Sequence, residues 1–213
     1  MTNAINAILV IILVLNIFSL GTSRILAVIH AVAAQGILLG LLPLLVHGHL
    51  SPPVALVAAA TVILKGALIP GIMTRALREA QIKREMEPLI GLLPSLILGA
   101  LATAGALLFA NRLPLASGHG QTLLVPAAIA TILVGFILLT TRFKAISQAI
   151  GYLVLENGIF IFGMLLAEAM PLVVEMGMLL DLFVGIFVTC IIVNHINRAF
   201  ASMDTRHLVT LKE

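Results

Sequence analysis

Lys65, Glu156 and Asp181 each stand near the middle of a separate apolar run of about twenty residues, the length that crosses a bilayer. Carboxylates and an ammonium at that depth suit proton transfer. Each can hold or release a proton, and desolvation makes that choice sensitive to small changes in the surroundings. At roughly +2.5 to +3.5 kcal/mol each on insertion scales, the three cost on the order of 8–10 kcal/mol before any partner is counted. Residues placed at such expense are candidates for function by default.

Glu156 lies in GYLVLENGIF, with Asn157 beside it and Gly158 next, where a neighbouring helix can approach closely. Its carboxyl is either neutral, because desolvation disfavours the charge, or ionised against a partner or water. A proton relay uses that choice; a protonated Glu that merely bonds helices together does not. Asp181, in LLDLFVGIFV, carries the same two readings. Glu175, six positions earlier, is off the helical face of Asp181 and near the end of its run, so it either lines an exit or is interfacial. Lys65, in ATVILKGALIPG, precedes Pro70, which cannot donate to the carbonyl of Gly66. Irregular backbone at this depth is tolerated where it is buried in protein or faces water. The expectation is a polar cavity in which Lys65 changes charge state in a relay or, more plainly, pairs with a neighbouring carboxylate. His30, Gln35 and Gln148 could extend the polar set, although a lone His on an apolar helix also serves as a hydrogen-bonded packing residue.

The elements that position these residues follow from composition. With 61% hydrophobic and 10% charged residues among 213, the chain cannot clothe a water-facing surface, and it reads as an all-α polytopic membrane protein. Its punctuation allows seven spans, near 3–21, 25–46, 53–75, 88–110, 121–141, 145–167 and 171–197. Arg24, then Arg75, Arg78, Lys83 and Arg84, then Arg142 and Lys144, then Arg198, Arg206 and Lys212 fall in alternate connections and the tail, against Arg112 alone on the other side. The positive-inside rule makes the basic side cytoplasmic, with the N-terminus external and the C-terminus internal. Residues 1–213 form one membrane domain, with a four-helix part at 1–110 and a three-helix part at 111–213. The first run lacks the basic start and cleavage site of a signal peptide and is read as a retained helix.

SRILAVIHAV resembles TRFKAISQAI, with Arg24 over Arg142 and His30 over Gln148 at an offset of 118, and Gln35-Gly36-Ile37 falls over Asn157-Gly158-Ile159 at 122. The two copies keep one membrane orientation, a parallel repeat. Several functions are excluded or disfavoured. Cys190 is the single cysteine, so neither an internal disulfide nor a thiolate cluster is available. His47 and His49 lack a third ligand nearby, and no metal site is expected. No phosphate-binding glycine–lysine loop is present, and the net charge of +3 follows topology rather than nucleic acid. The mixed-charge segment TRALREAQIKREMEP is a solvated helical extension or a docking surface for a peripheral subunit.

The last three spans resemble the small NuoK-type subunit of respiratory complex I and its Mrp antiporter counterpart, with Glu156 in the second helix and Asp181 followed by Gly185 in the third, where the complex I subunit has Glu. With four further helices in front, the whole chain resembles hydrogenase-4 component E, a membrane subunit of group 4 membrane-bound NiFe hydrogenases and formate hydrogenlyase-like complexes. The resemblance implies a non-catalytic subunit in a bacterial or archaeal cell membrane. It would sit in the bilayer among antiporter-like and NuoH-like subunits and bear cytoplasmic hydrogenase and iron–sulfur subunits. The NiFe centre and the iron–sulfur clusters would lie in those partners, with no cofactor in this chain. Glu156, Asp181, Lys65 and His30 would relay protons, supported by Gln35, Asn157, Gln148 and Glu175. Two other readings stay open: a stand-alone secondary cation or proton antiporter, and a structural anchor in which the charges only hold helices together.

Overall fold

The computed structural model describes residues 2–47, 52–79, 89–113 and 122–166, with isolated helical positions between 177 and 194. Helix α1 is Thr2–Gly21 and α2 is Ile25–His47. Helix α3 is compound: α-helical at Pro52–Thr61, π-helical at Val62–Leu68 and α-helical again at Ile69–Glu79. Leu92–Ala110, Leu124–Thr141 and Ala145–Leu166 form α4, α5 and α6. These six helices are long and apolar enough to cross a membrane, and the chain is a polytopic all-α membrane protein. The seventh expected span, 171–197, lies for the most part outside the described residues; positions 183–185 within it are helical.

Glycine decides how closely the helices approach. A Cβ on Gly36 would stand 2.6 Å from the carbonyl carbon of Lys65 and 2.7 Å from its oxygen, and Gly40, one turn on, faces Val62 and Ala58. Gly36 and Gly40 form a G-x-x-x-G pair that lets the backbones of α2 and α3 touch where Lys65 sits. Gly151 and Gly158 do the same between α6 and α5, with would-be Cβ atoms 2.5 Å from the Leu139 nitrogen and 2.6 Å from that of Ile132. A Gly36→Val variant is expected to separate α2 from α3 and to lower the yield of folded chain severalfold, measured by monodisperse recovery in mild detergent; wild-type recovery would show that the contact is dispensable.

Two apolar clusters fill the bundle. At the end bearing Arg24 and Arg142 are Leu20, Ile25, Val28, Ile29, Val32, Ile69, Met73, Leu77, Val134, Leu138, Ile146, Ile150 and Val154. At the other end are Ile5, Leu9, Ile12, Leu39, Leu42, Val57, Leu124, Ala128, Phe160, Ile161 and Met164. Between the clusters each contributing helix carries buried polar residues: Asn16 on α1, Gln35 on α2, Thr61 and Lys65 on α3, Thr131 on α5, and Glu156 and Asn157 on α6. Most of the buried polar residues thus lie between the two apolar clusters, with Ser19, Arg142 and Ser147 buried toward the end that bears Arg24.

The backbone ahead of Pro70 is irregular, as expected, and takes the form of a π-helical segment at Val62–Leu68. Instead of a kink at the proline, α3 widens into π-helical bonding through Lys65, and the Ile69 N–H reaches the carbonyl of Leu64. Proline removes one donor and would crowd the carbonyl four residues earlier; the wider turn absorbs both effects upstream. Such π segments recur at functional sites.

Candidate proton-relay site

The Lys65 ammonium lies 3.0 Å from Glu156 Oε1, with the two side chains 4% and 0% exposed. The plainer expectation for Lys65, pairing with a carboxylate, is what the structure shows, and Glu156 on α6 is the carboxylate. The ammonium also stands 5.3 Å from the ring centroid of Phe160, one turn beyond Glu156 on the same helix. Because water is excluded, the pair interacts far more strongly than it would at a surface, and neither group is affordable without the other. At 3.0 Å a proton can pass between ammonium and carboxylate without a large movement of either.

A row of neutral groups continues from the pair across the bundle. Asn157 Nδ2 donates to Gln35 Oε1 at 3.2 Å, Gln35 Nε2 to Asn16 Oδ1 at 2.8 Å, Asn16 Nδ2 to Thr131 Oγ1 at 2.8 Å, and the Thr131 hydroxyl to the Ala127 carbonyl at 2.7 Å. Every donor points the same way, from α6 through α2 and α1 to α5. Amides hold their protons tightly at ordinary pH, so this row fixes four helices around the ion pair rather than carrying charge itself. Gln35 and Asn157, which the repeat register superposes, are hydrogen-bonded to each other.

Lys65, Glu156, Gln35 and Asn157 are thus brought together. His30 and Gln148 are not, since both side chains are exposed on the outside of the described helices and Gln148 donates to the Arg142 carbonyl at 3.1 Å. Asp181 and Glu175 lie outside the described residues. Gly185, four positions after Asp181, is buried against the site: a Cβ there would stand 2.7 and 2.8 Å from the two Glu156 carboxylate oxygens. A Gly185→Ala variant is expected to push the carboxyl aside and to reduce any Glu156-dependent proton transfer about tenfold, because misplacement by 1 Å costs heavily in an ordered site. A wild-type rate in that variant would show that the contact yields freely.

The sequence does not pick out Asn16 or Thr131, and it marks Arg142 only as a basic residue of a connection and a repeat position. Arg142 falls in the three-residue connection between α5 and α6, where a solvated cytoplasmic charge is expected, yet its side chain is fully buried. The short turn draws it under the end of α1, where Nη2 donates to the Leu20 carbonyl at 2.9 Å. Burial holds its pKa below the ordinary arginine value, while the carbonyl end of α1 favours the cation. Among the described residues no group of three or more His, Cys, Asp or Glu side chains is placed to hold a metal.

An uncharacterised protein of Mycobacterium tuberculosis H37Rv, Rv0085, is 35% identical over 192 residues, covering 88% of this chain and 86% of its own length. The chain belongs to the Rv0085 family. The match covers most of the length, so the relationship is not confined to one apolar segment. Hydrogenase-4 component E of Escherichia coli K12 is similar to this Rv0085-family chain at 29% identity over 157 residues, 73% of the chain and 72% of that protein. The component of the same name from Shigella flexneri gives the same figures. No family model matches the chain, and no solved structure does.

Proposed function

We propose that this chain is a non-catalytic, proton-conducting membrane subunit of a complex I-related, membrane-bound NiFe hydrogenase of the formate hydrogenlyase-like kind, in a bacterial or archaeal cell membrane. The observation that carries the reading is the Lys65–Glu156 pair, held in a polar layer with apolar clusters on both sides. Toward the end that bears Arg24 the buried polar residues, Ser19, Arg142 and Ser147 among them, thin out and are set among apolar side chains. A pair in such a layer exchanges protons sideways, with ionisable groups of neighbouring subunits at the same depth, more readily than across the membrane. A stand-alone antiporter needs access from each face in turn, so the layering favours a subunit within a membrane arm. The likeness to hydrogenase-4 component E supports a hydrogenase as the complex. The NiFe centre and iron–sulfur clusters belong to partner subunits in this reading, and Asp181 continues the relay beyond Glu156.

The test is gentle detergent extraction of the tagged chain from its native membrane, native separation, and mass spectrometry of what remains bound. Recovery of a NiFe hydrogenase pair with iron–sulfur and antiporter-like subunits is expected. Recovery of the chain alone, followed by unaided ion exchange in liposomes, would replace this reading with the antiporter.

A further inference from the structure

We infer that His30 marks the face of α2 on which another membrane subunit docks, and that its imidazole donates there to a carboxylate on a transmembrane helix of that subunit. The inference rests on the membrane-arm reading and names one of its contacts. Helix α2 runs Ile25–His47, with Gly36 at its middle. His30 is six residues from that middle, about 9 Å along the axis and so about 6 Å inside the hydrocarbon edge. Its side chain is nonetheless exposed, while the adjacent Val28, Ile29, Ala31 and Val32 are buried. Ionisable residues at such depth almost always face a bundle interior or a water-filled cavity. Lipid tails offer the ring N–H no acceptor, and a polar group left there without a hydrogen bond is costly.

The internal repeat supplies a comparison. Gln148, the counterpart of His30 on α6, is also exposed, but its Nε2 donates to the carbonyl of Arg142 at 3.1 Å. The carbonyl of Arg24, counterpart of Arg142, instead accepts the N–H groups of Ala27 and Val28 at 3.0 and 3.2 Å. Among the described residues His30 has no hydrogen bond or ion pair. One copy therefore satisfies its outward polar side chain within the chain, and the other leaves it for a neighbour. His30, Ile37 and Leu41 fall on one outward face, spaced by seven and four residues, and Ile37 and Leu41 are 44% and 42% exposed. A face about 16 Å long with apolar side chains beyond the imidazole suits an apolar transmembrane helix. Charge selects the group opposite His30. Arg24, Arg75 and Arg78 are exposed toward this end, α2 has no acidic residue, and α3 has none before Glu79. A carboxylate complements that surface and takes a charge-assisted hydrogen bond from the imidazole, whereas a cation would meet like charge.

The test places a photo-crosslinking amino acid at position 30 of the full-length chain in its native membrane and maps the crosslinked peptide by mass spectrometry. A crosslink within one helical turn of an Asp or Glu in a transmembrane segment of another subunit is expected. His30→Leu, which suits lipid better than histidine, is expected to lower the amount of that subunit retained per chain in native separation about tenfold, the scale of one charge-assisted hydrogen bond. His30→Asp is expected to lose it as well, and to regain it when the crosslinked acid is changed to Lys; that rescue excludes misfolding. Crosslinks to lipid alone or to a second copy, a partner segment without an acid, or full retention in His30→Leu would each overturn the inference while leaving the membrane-arm reading intact. Wild-type chain that separates alone would overturn that reading, and this inference with it.

Discussion

Lys65→Met is expected to destabilise the folded chain by about 3–5 kcal/mol, the range found when one member of a buried ion pair is removed and the other is left behind. The physical cause is that Glu156, with none of its side chain exposed, loses the ammonium that offsets its desolvation and must either stay charged at a cost or take up a proton. Glu156→Leu should cost a similar amount by taking the carboxylate from the ammonium, moderated by the ring of Phe160. The double variant Lys65→Met/Glu156→Leu should recover most of the loss, because replacing both charges by apolar groups of similar volume is often neutral or better. Denaturant titration of the four chains in mixed micelles measures the coupling directly. Additive losses would show that the 3.0 Å contact contributes nothing of its own. Recovery in the double variant would also separate fold from function: a pair that the fold can do without is retained for its chemistry.

That distinction was partly visible in sequence. A lysine or glutamate inside an apolar run stands out because hydropathy penalises charge, so Lys65 and Glu156 were legible as candidates one by one. Their pairing was not, because the order of helices in a bundle leaves no mark on periodicity. It is set by where backbones can approach, and the Gly36-Ile-Leu-Leu-Gly40 stretch that brings α3 against α2 is a local cue overlooked beside the charges. Asn16 and Thr131 escaped notice for the opposite reason to Lys65. Thr131 barely lowers the hydropathy of its span, Asn16 carries no charge to titrate, and their significance appears only when Gln35 joins them into one row. Arg142 misled in another way. Its position between spans was read correctly, but its side chain turns inward under the end of α1 while the adjacent Phe143 faces out. His30 shows the reverse: polarity on an apolar helix suggested the interior, whereas its side chain faces outward. The six described spans, by contrast, follow the expected boundaries to within a few residues, because length and loop punctuation are properties of the chain itself.

Glu156→Gln is the variant with the largest expected functional effect. The amide keeps the shape of the carboxyl and can still accept from the Lys65 ammonium, so the helices around it should remain in place. What it loses is the ability to hold a transferable proton. A positioned acid–base group contributes about 10²–10⁴-fold to proton transfer, and apolar clusters flank the fully buried Glu156 on both sides. Coupled proton translocation in native membranes, followed by pH change on substrate addition, should therefore fall at least about 100-fold. Hydrogenase activity with a soluble dye should persist, since that chemistry lies in other subunits under the proposed function. Glu156→Asp, which retains the proton-holding group on a shorter stem, should keep part of the coupling. Normal translocation by Glu156→Gln in an intact complex would remove Glu156 from the proton path and leave the pair a purely structural role. Loss of dye activity together with coupling would instead point to failed assembly, which quantifying the subunits in the same membranes would reveal.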